Sequence, residues 1–153
     1  MDNGAVIDNI VETLFYAFPI IHKKLMRIDP PDLHCGIRLT RLHVGILAML
    51  NESTSSISEI ANTFLIPNPQ MTYLIDRMLE AGLVERISNP RDRRVTDLVL
   101  TGKGKETFRL CDDYIKNNVR GMLSFLTGKE LDELLESLTK LKQIGPKLGR
   151  SQK

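Results

Sequence analysis

Residues 57–101 read ISEIANTFLIPNPQMTYLIDRMLEAGLVERISNPRDRRVTDLVLT, and the fold follows from how this stretch divides. Two helical patterns lie close together, and two short apolar strand patterns follow, joined by a turn rich in arginine. Ser56 and Glu59 stand at the spacing of a capping box, which starts the first helix at Ile57 and carries it to about Leu65 on Ile57, Ile60, Ala61 and Phe64. Ile66-Pro67-Asn68-Pro69 is too rigid to continue that helix, yet Asn68 can cap a second one with Pro69 in its first position. In the second helix Met71, Leu74, Ile75, Met78 and Leu79 face inward. Gln70, Tyr73, Arg77 and, at the edge, Thr72 are left outward, and Gly82 ends the helix in the left-handed conformation. Residues 83–87 and 95–100 then pair as a hairpin whose turn, residues 88–94, projects Arg91 and Arg93 or Arg94. A helix of this kind suits the major groove of DNA, and a basic hairpin suits the adjacent backbone or minor groove.

The charge distribution agrees with that layout. The chain of 153 residues has a net charge of +2, while the segment from Arg86 to Arg94 holds four arginines and one aspartate, so the rest carries −1. Positive charge is concentrated where phosphate would be met.

The flanks are helical. Ile7, Ile10, Val11, Leu14, Phe15, Phe18, Ile21 and Leu25 form one stripe over residues 6–28, where Pro19 predicts a kink or break around residues 17–19. Asp29-Pro30-Pro31-Asp32 ends that helix. A loop runs to about Ile37, and a short helix over residues 38–51 places Leu39, Leu42, Ile46, Leu47 and Leu50 on one side. After the hairpin, Thr101 caps a long helix whose first turn is weakened by Gly102 and Gly104, and Thr127 with Glu130 forms a second capping box before the last helix. These helices are more apolar than so small a unit needs for its own cover, which predicts a homodimer presenting two reading units to a palindromic site. The expected architecture is mainly α with a small β-hairpin wing (α+β). A winged helix-turn-helix region, residues 38–101, is embedded in a helical dimerisation region made of residues 1–37 and 102–153.

Other chemistries are poorly supported. GxSxG, P-loop, GxGxxG and HExxH motifs are absent, and three scattered histidines give no base–nucleophile pair, so no enzyme and no cofactor are expected. His22, His34, Cys35 and His43 show no recognised ligand spacing, and no metal site is expected. Two cysteines make no disulfide framework. Cys111, at helical spacing, reads as core, and Cys35, in a loop, is the better redox candidate. The acidic N-terminus has no basic segment before its apolar residues, and no uncharged run approaches the roughly 20 residues of a membrane span, so a cytoplasmic protein without a membrane partner is expected.

Three pieces of the chain together resemble the MarR/SlyA family of winged-helix transcription regulators. They are Leu39-Thr40 with Leu47, the run from Ile57 through Ile75-Asp76-Arg77-Met78-Leu79-Glu80-Ala81-Gly82-Leu83-Val84-Glu85-Arg86, and Asp92-Arg93-Arg94 followed by Leu100-Thr101. The resemblance implies an obligate dimer on an inverted-repeat operator in double-stranded DNA, usually repressing, and released in different members by small anionic aromatic compounds, oxidants or metal ions. It makes residues 68–81 the recognition helix and Arg93 the wing-tip contact with the minor groove, with Asp92 and Arg94 bracing the wing by ion pairing. The expected DNA-facing set is Asn68, Gln70, Thr72, Tyr73, Arg77, Arg91, Arg93 and Arg94. The family's ligand cleft between the first, second and fifth helices implies Tyr16, Arg41 and His43 as lining groups. Two departures stand out: Pro67 occupies the place of a small polar residue, and His43 that of a frequent glutamine. A metal- or redox-responsive regulator of the same fold, and a winged-helix module that binds only protein partners, are the alternatives.

Overall fold

The computed structural model describes residues 3–25, 27–88 and 96–148. In chain order these form α1 (Asn3–Leu25), α2 (Arg41–Glu52), β1 (Ser55–Ser56), α3 (Ile57–Phe64), α4 (Asn68–Glu80), β2 (Val84–Ser88), β3 (Thr96–Leu100), α5 (Gly102–Leu123) and α6 (Gly128–Ile144), with a 3-10 turn over Gly145–Lys147. The chain divides into two compact units, residues 1–116 and 117–153, and the boundary falls within α5.

Side-chain caps fix where three of the helices begin. Ser56 accepts from the Glu59 amide while Glu59 accepts from the Ser56 amide at 2.8 Å, and Thr127 and Glu130 repeat the arrangement at the start of α6. A third box opens α2, where Thr40 accepts from the His43 amide and the His43 ring accepts from the Thr40 amide at 3.0 Å. This start lies three residues later than the apolar spacing predicts, because imidazole fills a position usually recognised by glutamate or glutamine.

Two other expectations are corrected. Of the kink or break expected at Pro19, the break does not occur: the proline removes one backbone donor, and α1 continues from Asn3 to Leu25. Helix α4 begins at Asn68, with Pro67 at the cap position and no side-chain cap bond, so Asn68 is the first helical residue and not the cap.

Strands β2 and β3 pair antiparallel from Val84↔Leu100 to Ser88↔Thr96, as the hairpin reading requires. The sheet has a third strand, β1, paired Ser55↔Leu98 and Ser56↔Asp97, giving the order β1-β3-β2. Two serines carry no strand pattern, so β1 is unreadable from sequence. Beneath the sheet lies a core of Ile46, Leu47 and Leu50 from α2, Ile60 and Ala61 from α3, Met71, Ile75 and Met78 from α4, and Leu83, Leu98, Leu100 and Cys111. Thus α4 is clamped on its inner face.

No residue of α1 is buried, and its Ile10, Leu14, Phe15 and Phe18 are exposed. By length and composition α1 could cross a membrane, although it contains Asp8, Glu12 and Pro19. In α6 the apolar Leu135, Leu138, Leu141 and Ile144 are likewise exposed.

A compact knot ends α4 and begins α5. Gly82 has φ +69°, the left-handed region that glycine enters without a Cβ clash, and the Leu83 amide returns to the Met78 carbonyl at 2.9 Å. The Thr101 hydroxyl donates to the Gly82 carbonyl at 2.7 Å and accepts from the Gly104 amide at 3.0 Å. Gly104 packs so closely that a Cβ would lie 1.9 Å from the Leu83 carbonyl oxygen. Gly104→Ala is therefore expected to cost about 1–3 kcal/mol by forcing this contact apart. Gly102→Ala, whose Cβ would meet nothing within 4 Å, should be neutral or stabilising. Urea denaturation of the two variants tests the difference, and equal midpoints would remove the close approach as the reason for Gly104.

Candidate nucleic-acid interface

The outer face of α4 carries the residues expected from sequence to face DNA. Burial of Met71, Ile75 and Met78 orients the helix, and the 3.6-residue period then leaves Gln70, Tyr73 and Arg77 exposed. Arg77 Nη1 lies 3.4 Å from the Tyr73 hydroxyl, and its Nε lies 3.8 Å from Glu80. Thr72 is half-buried and donates to the Asn68 carbonyl at 2.9 Å, so its hydroxyl hydrogen is engaged within the helix. Exposed Asn68 stands in the first turn.

Arg86, part of the basic segment, lies at the stem of the wing and pairs with Asp76 of α4 at 3.0 Å. Both partners are about half exposed, so the pair adds little stability, but it ties the wing stem to α4. No spacing rule reveals a partner ten residues away across a turn. Lys103 gives a second tie, donating to the Ala81 carbonyl at 2.7 Å. The expected wing-tip contacts Arg91, Arg93 and Arg94, and the expected brace Asp92, lie outside the described residues.

The winged unit is matched by known proteins along most of its length. Residues 39–95 match the MarR family. The repressor MdtR of Bacillus subtilis is 33% identical over 106 residues, covering 69% of this chain and 68% of that protein. The chain belongs to the MarR family of winged-helix transcription regulators. This MarR-family chain is a helix-turn-helix regulator and not an enzyme. Among solved structures, the repressor CouR bound to a 23-mer DNA duplex is 26% identical with a TM-score of 0.63, covering 87% of this chain and 94% of CouR. Apo MarR from E. coli, at 20% identity and a TM-score of 0.69 over 84% of this chain and 96% of that one, shares the fold.

The groups implied as ligand-lining are placed differently from one another in this MarR-family chain. Arg41 pairs with Asp29 at 2.9 Å, the Tyr16 side chain is exposed, and the His43 ring closes the cap of α2. His22 stacks on Phe18, and exposed His34 lies 3.4 Å from Asp32. Among the described residues no group of three His, Cys, Asp or Glu side chains could hold a metal ion. Both cysteines are buried free thiols, including Cys35, which the loop reading leaves as the more available of the two. The Cys111 thiol is pushed up to about 11, first by burial and then by Cys35. It stays protonated at neutral pH and is a poor nucleophile.

His43 connects the interface to pH. Its Nδ1 accepts from the Thr40 amide at 3.0 Å, which requires neutral imidazole. Burial, followed by the positive charge of Arg77, holds its pKa below the ordinary 6.5. A depressed folded-state value means that this contribution to stability is complete above about 6.5 and is lost as pH falls through the folded-state value. Glu59 and Glu130, held below 4.5 chiefly by backbone hydrogen bonds from Ser56 and Thr127, lose theirs in a more acidic window. His43→Gln keeps an acceptor at this position and should flatten the loss of stability just below pH 6.5 while leaving the more acidic loss in place. Thermal melts from pH 7.5 to 4 test this, and a parent curve flat down to pH 5 would contradict it.

Proposed function

We propose that this chain is a cytoplasmic homodimeric repressor that places α4 in the major groove of each half of an inverted-repeat operator and its wing arginines in the flanking minor groove. The observation that carries the reading is the outer face of α4. Gln70, Tyr73 and Arg77 stand exposed on a helix clamped from behind by Met71, Ile75 and Met78. Gln70 and Arg77 are side chains able to make paired hydrogen bonds to base edges. The likeness to CouR, which is bound to a DNA duplex, supports the same partner here.

Dimerisation by residues 1–37 and 102–153 is supported by the exposed apolar faces of α1 and α6, since contiguous apolar surface of this kind marks an interaction site. A protein partner for α1 also fits a charged pair, Asp8 and Glu12, better than a lipid interior does. Two copies set one helical turn apart, about 34–36 Å, would place both recognition helices on one face of the duplex. Arg93 is assigned to the minor groove, whose negative potential attracts arginine where it is narrow. Arg91 lies beside Arg93 in the DNA-facing set, and Asp92 with Arg94 braces the wing tip by ion pairing. Release by a small aromatic or anionic effector, with Tyr16, Arg41 and His43 among its neighbours, completes the proposed cycle.

Light scattering should give twice the chain mass of 17.3 kDa. On a duplex carrying the promoter of the protein's own gene, Arg93→Ala should weaken binding and flatten the slope of log affinity against log salt by about one. An unchanged slope and affinity would remove Arg93 from the interface, and salt-insensitive binding by the parent would count against the regulator reading. For the effector, an aromatic acid such as salicylate should raise the melting temperature of the dimer and weaken its hold on DNA together. A library of such acids and anions without any paired effect would overturn ligand release.

A further inference from the structure

The two helices of the reading unit end in the same backbone motif with different residues at its critical position. After α4, Gly82 takes φ +69°, with its amide bonded to the Leu79 carbonyl and the Leu83 amide to the Met78 carbonyl. After α3, Leu65 takes φ +54°, with its amide bonded to the Asn62 carbonyl at 3.3 Å and the Ile66 amide to the Ala61 carbonyl at 2.9 Å. The left-handed region crowds Cβ against the following carbonyl, so glycine is the ordinary occupant and leucine is strained there. Residues held in such strain cluster at functional sites, where the side chain is needed more than the relaxed backbone.

The leucine side chain gains nothing from its own protomer: Leu65 is 90% exposed. Between Arg27 and Leu100, among the described residues, the exposed large apolar side chains are Leu65 and Tyr73. One stands immediately before α4 and the other on its outer face, so the apolar surface of the winged unit is confined to the approach to its reading helix. Ile66 packs into the core and Pro67-Asn68-Pro69 follows, which holds Leu65 at a fixed place beside the start of α4. In the major groove the apolar feature of a base edge is the C5-methyl of thymine.

We propose that Leu65 is a specificity-determining residue that packs against a thymine methyl group in the major groove, next to the bases met by α4. This rests on the DNA-binding reading above. The contact explains why an exposed leucine occupies a position where glycine would relax the backbone. It also adds an apolar reader to a face otherwise made of hydrogen-bonding groups.

The test uses the full chain and a duplex enriched by it from a random pool, with each thymine replaced in turn by deoxyuridine, which lacks only the methyl. At one thymine per half-site the parent should bind the deoxyuridine duplex about fourfold more weakly, the loss expected for one buried methyl. Leu65→Gly should bind the unmodified duplex at least that much more weakly and be indifferent to deoxyuridine at that position. Its melting temperature should equal or exceed that of the parent, because glycine relieves the strained backbone. Leu65→Asn, which also tolerates this backbone, should behave as Leu65→Gly does. Parent-like affinity in both variants, or an unchanged deoxyuridine penalty in them, overturns the proposal while leaving DNA binding intact. Enrichment of no duplex by the parent overturns both.

Discussion

The structure of the winged unit depends on the knot at Gly82, Leu83, Thr101 and Gly104. One hydroxyl, that of Thr101, joins the end of α4 to the start of α5 by donating to the Gly82 carbonyl and accepting from the Gly104 amide. The Thr101 amide donates to the Leu83 carbonyl at 3.1 Å, closing the ladder of β2 and β3 at the same place. Helix α4, the wing strands and α5 thus meet within a few residues. The left-handed backbone at Gly82 and the missing side chain at Gly104 allow the approach. Because α4 and the wing leave the same knot, their relative placement does not depend on long exposed side chains. The Arg86–Asp76 pair and the Lys103 bond to Ala81 trim an arrangement that backbone bonds have already set.

Helix starts show how local chemistry becomes visible or hidden in a sequence. The boxes at Ser56 and Glu59 and at Thr127 and Glu130 are legible because a hydroxyl and a carboxylate at this spacing have one common use. The box at Thr40 and His43 has the same geometry, but histidine has many uses, and only the neutral ring can serve. The substitution makes the start of α2 titratable where glutamine would be indifferent to pH. Arg77 adds its charge to the cost of protonating that ring, so the cap of α2 is sensitive to a residue on the outer face of α4.

The candidate site was legible to the extent that periodicity determines it. The inward set Met71, Ile75 and Met78 follows from helical spacing, and the outward set Gln70, Tyr73 and Arg77 is its complement. Thr72 and Asn68 illustrate the limit, since spacing placed both near the start of α4 but showed neither that Asn68 is helical nor the bond between them. Asp76 became a participant only when the turn brought Arg86 back across α4. Leu65 reads from sequence only as the end of α3, because helical spacing does not reveal the left-handed backbone that follows the last turn. Only the structure gives its backbone angle and exposure.

The sequence by itself determined the helices and the two hairpin strands, the direction in which α4 turns its apolar face, the resemblance to the family and the concentration of arginine beyond β2. These are properties of short spacing, where each residue constrains neighbours three or four positions away. Only the tertiary structure decided that Ser55–Ser56 joins the sheet, that α1 continues through Pro19, that Cys35 is buried and that Leu65 is not. Strand pairing and burial depend on groups far apart in the chain, and the left-handed turn that turns Leu65 outward is fixed by the return of Ile66 to the core.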